Sequence, residues 1–173
     1  MSELDFLHIL QNLHTPLLDG LMILLSALGN GGMVWIAIAA LLLWKEKTRP
    51  CGMMILGSML LCFLIGNITL KNIICRPRPC WIDSTVQMLI DIPSDYSFPS
   101  GHTMHGFTAA TMIWLYHRRA GIAALCLAAV IAFSRMYLFV HYPTDILAGF
   151  CIGTASALAV FALTQRFLQN KKG

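Results

Sequence analysis

Between positions 20 and 44 the chain runs for 25 residues without a charged side chain. A helix needs about 20 apolar residues to cross the ~30 Å hydrocarbon core of a bilayer, so this stretch is long enough. The rest of the chain is of the same kind. Of its 173 residues, 57% are apolar and 12% are charged, and the mean hydropathy is +0.70. Soluble domains carry about 25% charged residues. The composition excludes a disordered chain and argues against an ordinary soluble enzyme. It supplies apolar residues for roughly four to six spans. The net charge of +4 forms no exposed basic face of the kind a nucleic-acid binder needs. The expectation is an all-α integral membrane bundle, folded as one domain over residues 1–173.

Gly29-Asn30-Gly31-Gly32 interrupts the first apolar stretch. Were it a break between two spans, residues 33–44 would rise only about 18 Å. That is short of the bilayer, so one kinked span is expected. Lys45-Glu46-Lys47-Thr48-Arg49-Pro50 closes it. Four further spans are expected over 51–70, 98–116, about 120–140 and 144 to about 167, with a loop over 71–97. Five spans place Lys45, Lys47, Arg49, Arg118, Arg119, Arg166, Lys171 and Lys172 on one side. These are eight of the twelve basic residues, which marks that side as cytoplasmic. Lys71, Arg76, Arg78 and Arg135 lie on the other side, against the sorting rule, and need another reason to be there. Residues 1–19 carry Glu3, Asp5 and Asp19 and no Lys or Arg, which suits the outer side. Leu4, Leu7, Leu10, His8, Gln11 and His14 read as a short amphipathic helix on the interface. A six-span version with a first span near 5–28 is the alternative. The start of the chain lacks the basic residues of a cleavable signal.

The outer end collects the charged and polar groups. Lys71, Arg76 and Arg78 follow the second span, Pro99-Ser100-Gly101-His102 opens the third, Arg135 ends the fourth, and His141 and Asp145 precede and start the fifth. Ionisable groups at membrane depth are costly and are functional candidates by default. Several long cations facing one place call for an anion, and the arginine fork matches phosphate oxygens. A helix start at Ser100-Gly101 adds free backbone N–H groups, with a glycine that allows close approach. Tyr142-Pro143-Thr144 can turn Asp145 back onto His141. A carboxylate on one ring nitrogen leaves the other as nucleophile or base, and His102 can act as acid on a leaving group. Such a set can cleave a phosphate ester by in-line attack without a metal.

Lys71-x6-Arg78-Pro79, Pro99-Ser100-Gly101-His102 and Ser134-Arg135-x5-His141-x3-Asp145 together resemble the three-part signature of the type-2 phosphatidic acid phosphatase superfamily. The resemblance implies a membrane lipid phosphatase with a phosphohistidine intermediate, no metal and no cofactor. It implies His141 as nucleophile, Asp145 as its orienting group and His102 as acid and then base. Lys71, Arg78, Ser100, Gly101 and Arg135 would bind the phosphate. Undecaprenyl pyrophosphate is the favoured substrate, and phosphatidylglycerophosphate or phosphatidate the alternatives. The expected location is a cell membrane, multi-pass, probed from the bilayer by its lipid substrate, with the site on the extracytoplasmic side. The non-enzyme alternative is a lipid-binding protein on the same scaffold. A haloperoxidase of this superfamily would be soluble and longer, and a transporter would need repeats this chain is too short to hold.

Other residues read as structural. Cys51, Cys62, Cys126 and Cys151 lie in apolar runs as small buried hydrophobes, whereas Cys75 and Cys80 have the option of a disulfide. Arg76 is either interfacial or a further phosphate ligand. His105 sits one turn after His102 as a packing residue, with zinc the remote alternative. Asn67 and Ser134 read as helix-packing groups, and His8, His14 and His117 as interfacial. Trp35, Trp44, Trp114, Tyr116 and the methionines are expected mostly at lipid or in aromatic belts. The loop over 80–97 mixes Trp81, Ile82, Val86, Met88, Leu89, Ile90 and Ile92 with Asp83, Asp91 and Asp95. That pattern predicts an interfacial flap over the site.

Overall fold

The computed structural model describes residues 2–170; Lys171 and Lys172, counted above on the cytoplasmic side, lie outside the described residues. The described residues contain helices and no strand. Helix α1 spans Glu3–Gln11. It starts at a capping box in which Ser2 Oγ accepts from the Asp5 N–H and the Asp5 carboxylate accepts from the Ser2 N–H, satisfying two otherwise orphan donors. Thr15 caps helix α2, Pro16–Leu28, with proline at its first position. Gly31 and Gly32 take positive φ values of 58° and 71°, a conformation glycine adopts without steric cost. They turn the chain into α3, Met33–Trp44. The two helices meet at 47°, which is the kink expected from the glycine cluster.

Helix α4, Arg49–Phe63, continues through a π-helical segment, Leu64–Leu70, to a last turn, Lys71–Ile74. A single turn, Pro79–Ile82, opens the long irregular loop. Helices α5, Gly101–Tyr116, and α6, Arg118–Tyr137, are separated by His117 alone. Residues 138–142 lead to α7, Pro143–Asn170. Three stretches of the described residues are long and apolar enough to cross a membrane: Arg49–Ile82, Arg118–Tyr137 and Pro143–Asn170. The bent pair α2–α3, if it crosses as one span, would make a fourth. Helix α5 has 16 residues, or about 24 Å of rise, and is shorter than these.

Helix α5 is the centre of the bundle and packs on α4, α6 and α7. Lipid tails give no hydrophobic drive between helices, so close van der Waals contact and small residues do that work. A Cβ at Gly149 of α7 would stand 2.9 Å from the Ser100 carbonyl oxygen, and one at Gly153 would meet the Met104 carbonyl more closely still. These glycines bring α7 against the start of α5. The packing corrects several sequence expectations. Trp35 is fully buried against Ala39, Met59, Ala109 and Ala128 rather than in a belt, and Met22, Met54, Met59, Met104 and Met112 are core residues. The flexible thioether fills irregular gaps between such helices. Conversely, Cys126 and Cys151 are exposed on the outside of the bundle, whereas Cys51 and Cys62 are buried as expected. Helix α1 lies on the bundle, with Leu7 and Leu10 packed into a second cluster formed by Tyr137, Leu138, Phe139, Val140 and Tyr142.

Candidate active site

Helix termini deliver the site. The end of the π-helical segment presents Lys71, the start of α5 presents Gly101 and His102, the last turn of α6 presents Arg135, and the α6–α7 connection presents His141. These residues and Arg78 line one cavity of about 1030 Å³. Its other walls come from the glycine kink (Gly29, Asn30), the inner side of α4 (Met59, Phe63) and the loop (Leu89 to Asp95). Of the apolar loop residues, Leu89, Ile90 and Ile92 line this cavity; Val86, Met88, Leu89 and Ile90 also pack on the second cluster, and Trp81 Nε1 donates to the Pro93 carbonyl at 3.1 Å.

His141 is buried (1% exposed). Its Nδ1 lies 3.5 Å from Asp145 Oδ2, across the turn read from Tyr142-Pro143-Thr144. Ser97, which the sequence gave no reason to single out, stands between them. Its Oγ is 3.3 Å from His141 Nδ1 and donates to Asp145 Oδ2 at 2.5 Å. The Tyr142 N–H donates to the same oxygen at 2.9 Å. The opposite ring nitrogen, Nε2, points at Arg78 Nη1, 3.2 Å away, and faces the cavity. Burial first, and then the guanidinium charge of Arg78, hold the imidazole well below its ordinary pKa despite the Asp145 hydrogen bond. Both effects favour the neutral ring, the form in which an imidazole nitrogen can attack an electrophile.

Arg78 is nearly fully buried and also donates to the Val140 carbonyl at 2.8 Å and to the Asp95 carbonyl at 2.6 Å. The Asp95 carboxylate pairs with Arg78 at 2.7 Å and with Lys71. Burial raises its pKa, but the hydrogen bonds and charges of Lys71 and Arg78 outweigh this and leave it well below the usual carboxylate range. Arg135 is buried, donates to Ser26 Oγ, and leaves its Nε without a partner. His102 Nε2 lies 3.0 Å from Asn30 Oδ1. Ser100 is the residue before α5 and is fully buried; its hydroxyl accepts from Thr103 Oγ1 at 3.0 Å and its N–H donates to the Asp145 carbonyl. Ser100 and Asp145 thus stand behind the cavity wall, and the other six sequence-predicted residues form it.

Six further residues read from the sequence take the following places. Arg76 turns away from the cavity and donates to Asp145 Oδ1 at 2.6 Å. Cys75 is exposed with its thiol on the Asn72 carbonyl, and Cys80 is buried, so the disulfide does not form. Asn67 lines the cavity with its Oδ1 buried and unpartnered, and His105 lines it with an unpartnered Nδ1. Ser134 donates to the Ile131 carbonyl within its own helix, as a packing hydroxyl does.

The fold and site define a helical membrane protein with a buried histidine–aspartate centre beside a cation-lined cavity. Residues 51–169 match the model of the PAP2 superfamily, and the chain belongs to that superfamily. It is 33% identical over 138 residues to the undecaprenyl-diphosphatase of Sulfolobus acidocaldarius, covering 79% of this chain and 66% of the relative. It is 32% identical over 132 residues to the bacitracin transport permease protein BcrC of Bacillus licheniformis, covering 75% and 64%. The chain therefore spans just under two thirds of the length of these relatives. Its structure is similar to the PAP2-type phosphatidylglycerolphosphate phosphatase of Bacillus subtilis, with a TM-score of 0.77 and 25% identity over 95% of this chain and 85% of that one. Aquifex aeolicus LpxE is similar at a TM-score of 0.73 and 29% identity, covering 92% and 94%.

Proposed function

We propose that this protein is a membrane lipid phosphatase that removes a terminal phosphate from a lipid head group, with undecaprenyl pyrophosphate as its preferred substrate. The observation that carries the reading is the arrangement of His141 Nε2 at the wall of a cavity lined by Lys71, Arg78 and Arg135. The names of the relatives favour a polyprenyl diphosphate over phosphatidylglycerophosphate or phosphatidate. Helix α5 joins the four candidate spans as a fifth, α1 lies across the outer end, and the cavity opens on the extracytoplasmic side of a cell membrane. The distribution of basic residues supports that orientation.

In this reading the terminal phosphate takes the place of the Asp95 carboxylate between Lys71 and Arg78. Arg135 and the backbone start of α5 at Gly101 complete the cradle, with Ser100 ordering that start. His141 Nε2 attacks phosphorus, a P–N bond forms and the P–O bond to the lipid breaks. His102 gives its proton to the departing oxygen. Asp145 holds Nδ1 and stabilises the cationic ring. Water, giving its proton to His102, then cleaves the P–N bond and releases inorganic phosphate. The cations stabilise charge on the phosphoryl oxygens in both steps, and removing one such donor costs about 100- to 1000-fold in rate. Phosphate release by the purified protein from undecaprenyl pyrophosphate, phosphatidylglycerophosphate and phosphatidate tests the proposal. The polyprenyl lipid is expected to be fastest. No release from any of the three by folded protein overturns it.

A further inference from the structure

The Asp145 carboxylate is fully buried and each of its oxygens has its own donors. Oδ2 takes Ser97 Oγ, the Tyr142 N–H and the His141 ring. Oδ1 takes Arg76 Nη1 at 2.6 Å. The same guanidinium nitrogen donates to Thr144 Oγ1 at 2.7 Å, and the other, Nη2, donates to Glu3 Oε2 at 2.5 Å. Glu3 Oε1 in turn accepts from both the N–H (2.9 Å) and the hydroxyl (2.8 Å) of Thr144. The guanidinium carbon of Arg76 also lies over the Tyr142 ring, 3.9 Å from its centre. Two carboxylates and two residues of the His141–Asp145 turn thus fix the plane of one guanidinium, a geometry only a forked donor can satisfy.

We infer that Arg76, held by Glu3 of α1, is a positioning residue that orients Asp145 and through it sets the basicity of His141. The inference rests on the reading of His141 as the nucleophile. Arg76 does not line the cavity, so it acts on the reaction through Asp145 and not through phosphate. Its fork holds Asp145 Oδ1 and leaves Oδ2 directed at the ring. Its charge also offsets part of the carboxylate charge that the ring feels. Glu3 moderates that charge from the far side, and so links the seating of α1 on the bundle to the reactive centre. The charged and titratable groups facing His141 are Arg78 from the loop, His102 from α5, Arg135 from α6 and Asp145 from α7. Those facing Asp145 are Arg76, His141 and the phenol of Tyr142. Arg76 is the one of these groups that pairs with a residue of α1.

The two variants Arg76→Gln and Glu3→Gln have opposite signs. Without Arg76, Asp145 stabilises the imidazolium more strongly, the His141 pKa rises, and the acidic limb of kcat/KM moves to higher pH by about 0.5 to 1 unit. Without the Glu3 charge, Arg76 offsets Asp145 more fully and the limb moves by a smaller amount to lower pH. Arg76→Gln is also expected to lower kcat roughly 10- to 100-fold with little change in KM, the cost of a misplaced reacting group. Arg76→Lys keeps the charge but not the fork, so kcat falls while the limb stays near wild type. All profiles use the full chain in detergent and one lipid, so the ionisation of the substrate is common to them. His141→Ala is run alongside. If it still releases phosphate, the nucleophile reading fails and the inference with it. If it is inactive and the two glutamine variants shift the limb in opposite directions, the inference stands. If it is inactive and both limbs stay at the wild-type position, Arg76 and Glu3 are structural only and the inference is overturned. Should Arg76→Gln fail to fold, Glu3→Gln decides alone: an unmoved limb overturns the inference.

Discussion

Arg78 Nη2 donates to Asp95 Oδ1 at 2.7 Å, and the second oxygen of the same carboxylate pairs with Lys71. The two cations that the sequence assigns to phosphate are thus bridged by an anion of the chain itself. Asp95 is half-exposed while both cations are buried, so the carboxylate can leave towards solvent and the cations cannot follow. In the proposed mechanism a bound phosphate would compete with Asp95 for the same donors.

Asp95→Asn is therefore expected to tighten competitive inhibition by orthovanadate about fivefold, the factor that ~1 kcal/mol of a partly exposed ion pair represents. Inhibition constants of wild type and variant at one pH check this. Weaker inhibition in the variant would mean that Asp95 builds the cradle instead of occupying it.

The same pair makes a prediction about stability and pH. The pKa of Asp95 is lower in the folded chain than in the unfolded one, so its contribution is present above the unfolded value of about 3.9. It is lost as the pH falls through the lower folded value. The difference in thermal midpoint between wild type and Asp95→Asn should then be constant from pH 7 to about pH 5 and shrink only in more acid solution. A difference that vanishes by pH 6 contradicts the pairing.

Asn30 Oδ1 accepts from His102 Nε2 at 3.0 Å, which fixes the orientation of the ring that would serve the leaving oxygen. Asn30→Ala should lower kcat roughly 10- to 100-fold on a lipid whose leaving group needs a proton, within the range of general-acid catalysis. On p-nitrophenyl phosphate, whose leaving group needs none, the loss should be small. Equal losses on both substrates would remove Asn30 from the positioning of the acid.

The close approach of α7 to α5 gives a test of the scaffold. Gly153→Val adds bulk where even a Cβ meets the Met104 backbone, and overpacking of this kind costs about 1–3 kcal/mol. Thermal unfolding in detergent should show a lower midpoint. An unchanged midpoint would show that the two helices can part without loss.

Much of this architecture is legible in the sequence because the bilayer leaves few options. A charge-free run, a glycine cluster and alternating basic ends define helices and their order, and the three motifs place Lys71, Arg78, His102, Arg135, His141 and Asp145 before any coordinates are known. What is not legible depends on contacts between distant segments. Ser97 and Asp95 look like ordinary loop residues until the loop folds back on Arg78 and His141. Arg76 has the same local sequence context as Arg78, yet one side chain turns to Asp145 and the other to His141, a difference that only the long-range packing of the loop decides. Asn30 is hidden in a glycine cluster that reads as a hinge alone. Trp35 and the core methionines are misread because composition does not distinguish a helix face that meets lipid from one that meets another helix, when both are apolar. Cys126 and Cys151 are misread for the same reason.

The measurement that tests the central claim most directly is trapping of the phosphoenzyme. Undecaprenyl pyrophosphate labelled with ³²P at its terminal phosphate is mixed with the purified protein and quenched in alkali, where phosphohistidine survives and acyl phosphates do not. The account predicts label on the peptide that carries His141 in the wild type, more label in His102→Ala if the second step is slowed, and none in His141→Ala. Phosphate release by wild type with no label at His141, or label that persists in His141→Ala, would contradict it.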